Sequence, residues 1–89
     1  MSLFSGLISQ LTSALRGAET ASENLVHVFG GSATEARLRG YEWAVTTLRD
    51  AEVSAAQTPV RAVRELRRHN RALSLLGAKT LVDEVVARG

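Results

Sequence analysis

Arg61, Arg64, Arg68 and Arg71 recur at steps of three and four residues, a spacing that lines them along one arc of a helix as a cationic edge roughly 15 Å long. A guanidinium forks onto phosphate or carboxylate oxygens, so such an edge suits a few phosphates of nucleic acid or the carboxylates of an acidic partner. The same arginines can instead be solvated, lying over apolar surface or pairing with Glu65 or Asp83. No aromatic residue interleaves with them, which argues against a stacking platform for single-stranded bases.

The remaining polar chemistry is sparse. Neither His27 nor His69 has an acidic or nucleophilic neighbour at a characteristic catalytic spacing. Asp83 and Glu84 are adjacent and diverge by about 100° on a helix, so they cannot cradle a metal together. The Gly30-Gly31-Ser32 turn could hold a phosphate at the following helix N-terminus, although a plain interhelical turn explains it as well. No cysteine, P-loop or Gly-x-Gly-x-x-Gly fingerprint is present. The expectation is a non-enzymatic protein with no catalytic, cofactor or metal site.

The chain has 89 residues, of which 45% are hydrophobic and 22% charged. That is the composition of one globular domain rather than of a disordered or fibrous segment. Its net charge is +2, and ten of the eleven basic residues are arginine. An arginine excess beside abundant Ala and Val also follows from a GC-rich bacterial genome, so position carries more information than the total. Val60–Arg71 hold five arginines against one glutamate, while residues 2–15 carry no charge. No apolar run approaches the roughly 20 residues of a membrane span. A cytoplasmic location is the expectation.

The elements that must position these groups are helices, because apolar residues recur at three- and four-residue steps. Phe4, Ile8, Leu11, Leu15, Ala18, Ser22, Leu25 and Phe29 form a heptad stripe, widened by Leu7 and Val26. They predict one helix over about 3–29, with Gly17 as the weak point and Gly30-Gly31 as its stop. Ser32 and Glu35 form a capping box that opens a second helix, over about 33–56. Its stripe is Ala36, Tyr41, Ala44, Val45, Leu48 and Ala55, and Arg49 lies within salt-bridge reach of Glu52. Thr58-Pro59 starts a third helix over about 59–70, with Ala62, Val63 and Leu66 inward. Ser74 caps a fourth over about 75–87, with Leu75, Ala78, Leu81, Val82, Val85 and Val86 inward. The predicted fold is all-α: a long antiparallel hairpin with two short C-terminal helices laid along it.

The uncharged N-terminus is a second unusual feature. Leu3, Phe4, Leu7, Ile8, Leu11 and Leu15 are opposed by Ser2, Ser5, Ser9, Gln10, Thr12 and Ser13. A stripe of this length exceeds what two short helices can cover. Self-association, as a dimer through Phe4, Leu7, Ile8, Leu11, Leu15, Leu25 and Phe29, is the leading expectation. A peripheral membrane role through the same uncharged amphipathic face is an alternative, and so is nucleic-acid binding through the arginine arc.

Pro59-Val60-Arg61-Ala62-Val63-Arg64-Glu65-Leu66-Arg67, Leu73-Ser74-Leu75, Ala78-Lys79 and Val82-Asp83 resemble the helical hairpin in the C-terminal domain of the bacterial ribosomal stalk protein. In that family the hairpin turns at Thr-Gly and contacts translation factors. Here Asn70-Arg71 stands in place of Thr-Gly, and Gly77 in place of the usual glutamate. The resemblance, confined to residues 59–86, implies that the hairpin docks a protein partner. The combined expectation is a small helical protein-protein interaction module.

Overall fold

The computed structural model describes residues 19–89, and among them the chain is all-helical, with four helices and no strand. They are α1 (Ala21–Phe29), α2 (Ala33–Asp50), α3 (Pro59–His69) and α4 (Leu75–Arg88). The long helices α2 and α4 each pack against all the others, whereas α1 and α3 flank them without touching one another.

Local chemistry sets each boundary. The expected helix over 3–29 is interrupted, because Thr20 has extended backbone and its hydroxyl accepts the Glu23 N–H at 3.1 Å. The Glu23 carboxylate in turn accepts the Thr20 N–H at 2.9 Å. This capping box opens a new helix at Ala21 and separates it from residues 1–18, which lie outside the described residues. Gly30 and Gly31 end α1 with φ of 77° and 80°, left-handed backbone that suits glycine. Ser32 and Glu35 form the second capping box as expected.

α2 stops six residues before its expected end at 56. Glu52 enters the left-handed region at φ 57°, its N–H donates to the Arg49 carbonyl at 3.0 Å, and the Val53 N–H donates to the Leu48 carbonyl at 2.9 Å. That is a Schellman termination, in which Val53 and Leu48 join the same buried core. The turn takes Glu52 out of the helix, and the expected Arg49–Glu52 ion pair does not form. Ala55 is still buried, but from the connection rather than from a helix.

That connection feeds α3 through Thr58, whose hydroxyl donates to the Ser54 carbonyl at 2.9 Å and therefore makes no cap bond. Pro59 takes the first helical turn, where its missing N–H costs nothing. Ser74 caps α4 by accepting the Gly77 N–H at 3.0 Å.

The core consists of Leu25, Leu48, Leu66, Leu73, Leu81 and Val82, interleaved with buried alanines from α2, α3 and α4. Small residues let the helices approach closely: a Cβ at Gly40 of α2 would lie 2.9 Å from Leu81 Cδ2 and 3.0 Å from Phe29 Cε2. Two members of the expected α4 stripe point elsewhere, since Leu75 is 58% and Val86 46% exposed.

Candidate functional site

α3 turns Ala62 and Leu66 into the core and leaves its other side beside the first turns of α4. Val60 falls on that outer side between Arg64 and Arg67, because residues four and seven apart on a helix share a face. Leu75, the first residue of α4, stands next to it across the seam. An open groove of about 540 Å³ runs here, lined by Val60, Val63 and Leu75 and by Arg64, Arg67, Arg68 and Arg71. A second groove of about 460 Å³ shares Val60, Val63 and Leu75 and continues to Pro59, Val82 and the Lys79–Asp83 pair. The α3–α4 seam is thus apolar at its centre and cationic at one end.

The arginines have different partners. Arg67 Nε donates to the Leu73 carbonyl at 3.3 Å, which ties the groove wall to the connection ahead of α4. Arg68 donates to Glu65 at 2.8 Å, and His69 Nδ1 lies 3.2 Å from the same carboxylate. The Arg68 hydrogen bond holds the Glu65 carboxyl below the usual carboxylate range, with the charges of Arg68, His69 and Arg61 adding to it. Arg64 and Arg71 have no ion-pair partner among the described residues, and residues 1–18 contain no acidic side chain that could supply one. Their charge is available at the groove.

No protein-family model, curated protein or solved structure matches the chain. Residues 59–86, to which the stalk-protein resemblance is confined, form α3 and α4, two successive helices that pack on one another.

Of the residues expected to line a self-association seam, Phe4, Leu7, Ile8, Leu11 and Leu15 lie outside the described residues. Leu25 is fully buried against this chain's own helices, so it offers no surface to a second copy. Phe29 is half-buried and packs its ring on Trp43, with centroids 5.5 Å apart. Of the four arc arginines, Arg64, Arg68 and Arg71 border the groove, while Arg61 stands outside it. Val60, Arg67 and Leu75 also line the groove, although the spacing of the arginine arc does not include them. The helical positions of Val60 and Arg67 among the arginines signalled them, whereas nothing in the spacing of Leu75 distinguished it from core.

The other polar candidates each have a close polar or charged side-chain neighbour. His27 is 3.4 Å from the Glu19 carboxylate and His69 is 3.2 Å from that of Glu65, four residues before it on α3. The expectation that neither histidine has an acidic neighbour is therefore corrected, and for His69 the helical spacing itself brings the two together. Neither hydrogen-bonds a serine or threonine hydroxyl among the described residues. Asp83 pairs with Lys79 at 2.9 Å, while Glu84 bridges Arg88 at 3.0 Å and Arg37 of α2. Among the described residues, no cluster of three His, Asp or Glu could hold a metal ion, and no helix is long and apolar enough to cross a membrane.

Proposed function

We propose that this chain is a small non-enzymatic protein-interaction module whose docking face is the α3–α4 seam. The observation that carries the reading is the placement of Val60 and Leu75. They are 65% and 58% exposed and line the same groove, at whose rim Arg64 and Arg71 have no ion-pair partner among the described residues. Both side chains are already partly covered, so burying the remainder is worth about 1–2 kcal/mol each, and the arginines add orientation and selectivity at the rim.

Nucleic-acid binding is less well supported. A phosphate backbone needs a continuous cationic track, but Val60, Val63 and Leu75 occupy the centre of this groove. Self-association remains a separate reading. It rests on the spacing of Phe4, Leu7, Ile8, Leu11 and Leu15, with Leu25 withdrawn because it is buried.

Affinity capture from the native host tests the docking reading, with wild type compared against the double variant Val60→Asp/Leu75→Asp. A protein held by wild type, lost by the variant and bound again after purification supports it. Equal retention on both removes the seam from consideration.

A further inference from the structure

We infer that the seam's occupant is a short amphipathic α-helix with an apolar stripe and carboxylates grouped at one end; this rests on the docking reading above. Three recognition modes can be weighed on what lines the site. Strand addition requires an open sheet edge, and the described residues contain no strand. Polyproline recognition requires an aromatic-lined groove, and among the described residues no aromatic side chain lines either part of the seam. A furrow between two packed helices, with aliphatic side chains on its floor, is the shape that accepts the ridge of a third helix.

Charge fixes the polarity of that helix. At one end Arg64, Arg67, Arg68 and Arg71 present guanidinium groups; Arg68 is paired with Glu65, whereas Arg64 and Arg71 have no acidic partner among the described residues. At the other end the only charges among the described residues are Lys79 and Asp83, paired at 2.9 Å, so that end is net neutral and offers an incoming carboxylate no uncompensated cation. Acidic residues therefore belong over the arginines, and apolar residues over Val60, Val63 and Leu75. Placing the acidic end at the occupant's own N-terminus also matches the dipole of its helix. α3 has 11 residues, which gives a contact length of about 16 Å and calls for an occupant of roughly three turns.

The test is display selection of random peptides of roughly 14 residues on the full chain at low salt. Peptides that are enriched are then titrated by fluorescence anisotropy. The expected winners carry apolar residues at three- and four-residue steps with Asp or Glu concentrated at one end. Their affinity is expected to fall about tenfold or more with Arg64→Glu/Arg71→Glu and with Val60→Asp, and to weaken as salt rises. Winners that are lost on Val60→Asp but lack acidic residues, or ignore the arginine variant, overturn the inference and leave the docking reading standing. Winners indifferent to both Val60→Asp and Leu75→Asp, or no enrichment over an unrelated folded control, overturn both. Random duplex DNA is titrated in parallel. Binding of that DNA that is lost on Arg64→Glu/Arg71→Glu and kept on Val60→Asp, with no peptide enriched at the seam, overturns the inference in favour of phosphate.

Discussion

Asn24 of α1 and Gly77 of α4 approach so closely that a Cβ on Gly77 would lie 2.5 Å from Asn24 Oδ1. The contact exists because the same oxygen accepts the Ser74 N–H at 2.8 Å, while Asn24 Nδ2 donates to the Ala72 carbonyl at 3.0 Å and to Glu19 at 3.2 Å. Asn24 is only 1% exposed. A buried amide thus holds the connection that leads into α4, and with it the placement of Leu75 beside Val60.

Asn24→Ala is expected to cost about 2–3 kcal/mol in urea unfolding, because it strands the Ser74 N–H and the Ala72 carbonyl away from their partner. Gly77→Ala alone is also expected to destabilise, since Asn24 must shift to admit the methyl group. In the Asn24→Ala background that obstruction is gone, and the helix propensity of alanine over glycine, about 1 kcal/mol, counts in its favour. The double variant should therefore be more stable than the sum of the singles allows. Strict additivity would show that Asn24 is not what excludes a side chain at 77.

Much of the architecture was legible from local signals. The Ser32–Glu35 capping box, the Gly30-Gly31 stop and Thr58-Pro59 set three boundaries where the structure has them. The Thr20–Glu23 box was equally visible but lost to a heptad stripe that runs across it. Asn24, Gly77 and Glu52 were not legible, because what fixes them is tertiary. Asn24 is buried by partners some fifty residues away, and Glu52 turns left-handed so that Val53 can reach the core. The groove was half legible: periodicity grouped the arginines, but whether Leu75 faces in or out depends on how α4 leans on its neighbours.

Glu52 supplies the next test. A non-glycine residue at φ 57° costs about 1–2 kcal/mol, and Glu52 is exposed, with no ion pair among the described residues. Glu52→Gly relieves that strain at the position of a Schellman motif where glycine is preferred. Set against the entropy lost by a glycine, the expected gain is about 0.5–1 kcal/mol. An unchanged or lower urea midpoint would mean that another interaction of Glu52 offsets its backbone.

Stability is expected to decline in acid. The Glu84 carboxyl is held below the usual carboxylate range first by its hydrogen bond from Arg88 and then by that from Arg37. Glu23 and Glu35 are lowered by the backbone N–H groups of Thr20 and Ser32, and Glu65 by Arg68. In each case the folded value lies below the unfolded one, about 4.3. The contribution is therefore full above that value and is lost as pH falls through the folded value. Thermal melts from pH 7 to pH 3 should show stability falling from about pH 5 downward, and Glu84→Gln should be less stable at neutrality with a shallower acid limb. A Glu84→Gln protein with an unaltered acid limb would remove the α2–α4 bridge from the account.

The groove substitutions should leave the fold intact. Val60 and Leu75 are exposed and lie in the first turns of α3 and α4, where an aspartate is favoured by the helix dipole. Val60→Asp and Leu75→Asp are expected to change unfolding free energy by no more than about 0.5 kcal/mol each. Leu66→Ala, in the buried face of the same α3, should cost about 2–5 kcal/mol. If the aspartate variants unfold as readily as Leu66→Ala, Val60 and Leu75 support the core and are not a free docking surface.

The N-terminal stripe is tested independently of the groove. Its apolar residues Phe4, Leu7, Ile8, Leu11 and Leu15 carry no charge among them, so they can be covered by a second copy or by lipid. Sedimentation equilibrium at micromolar concentration should give a dimer, and Leu11→Asp/Leu15→Asp should return it to monomer by placing charges in the seam. A strictly monomeric wild-type protein rules out self-association. Flotation with small and large neutral vesicles then addresses the lipid alternative. An uncharged face binds through packing defects, so binding would favour the small vesicles and depend little on salt. The expected result is a dimer that stays with the soluble fraction for both vesicle sizes, because pairing hides the leucines that lipid would need. Binding to small vesicles by a monomeric protein, lost on Leu11→Asp/Leu15→Asp, would reassign the stripe to the membrane surface.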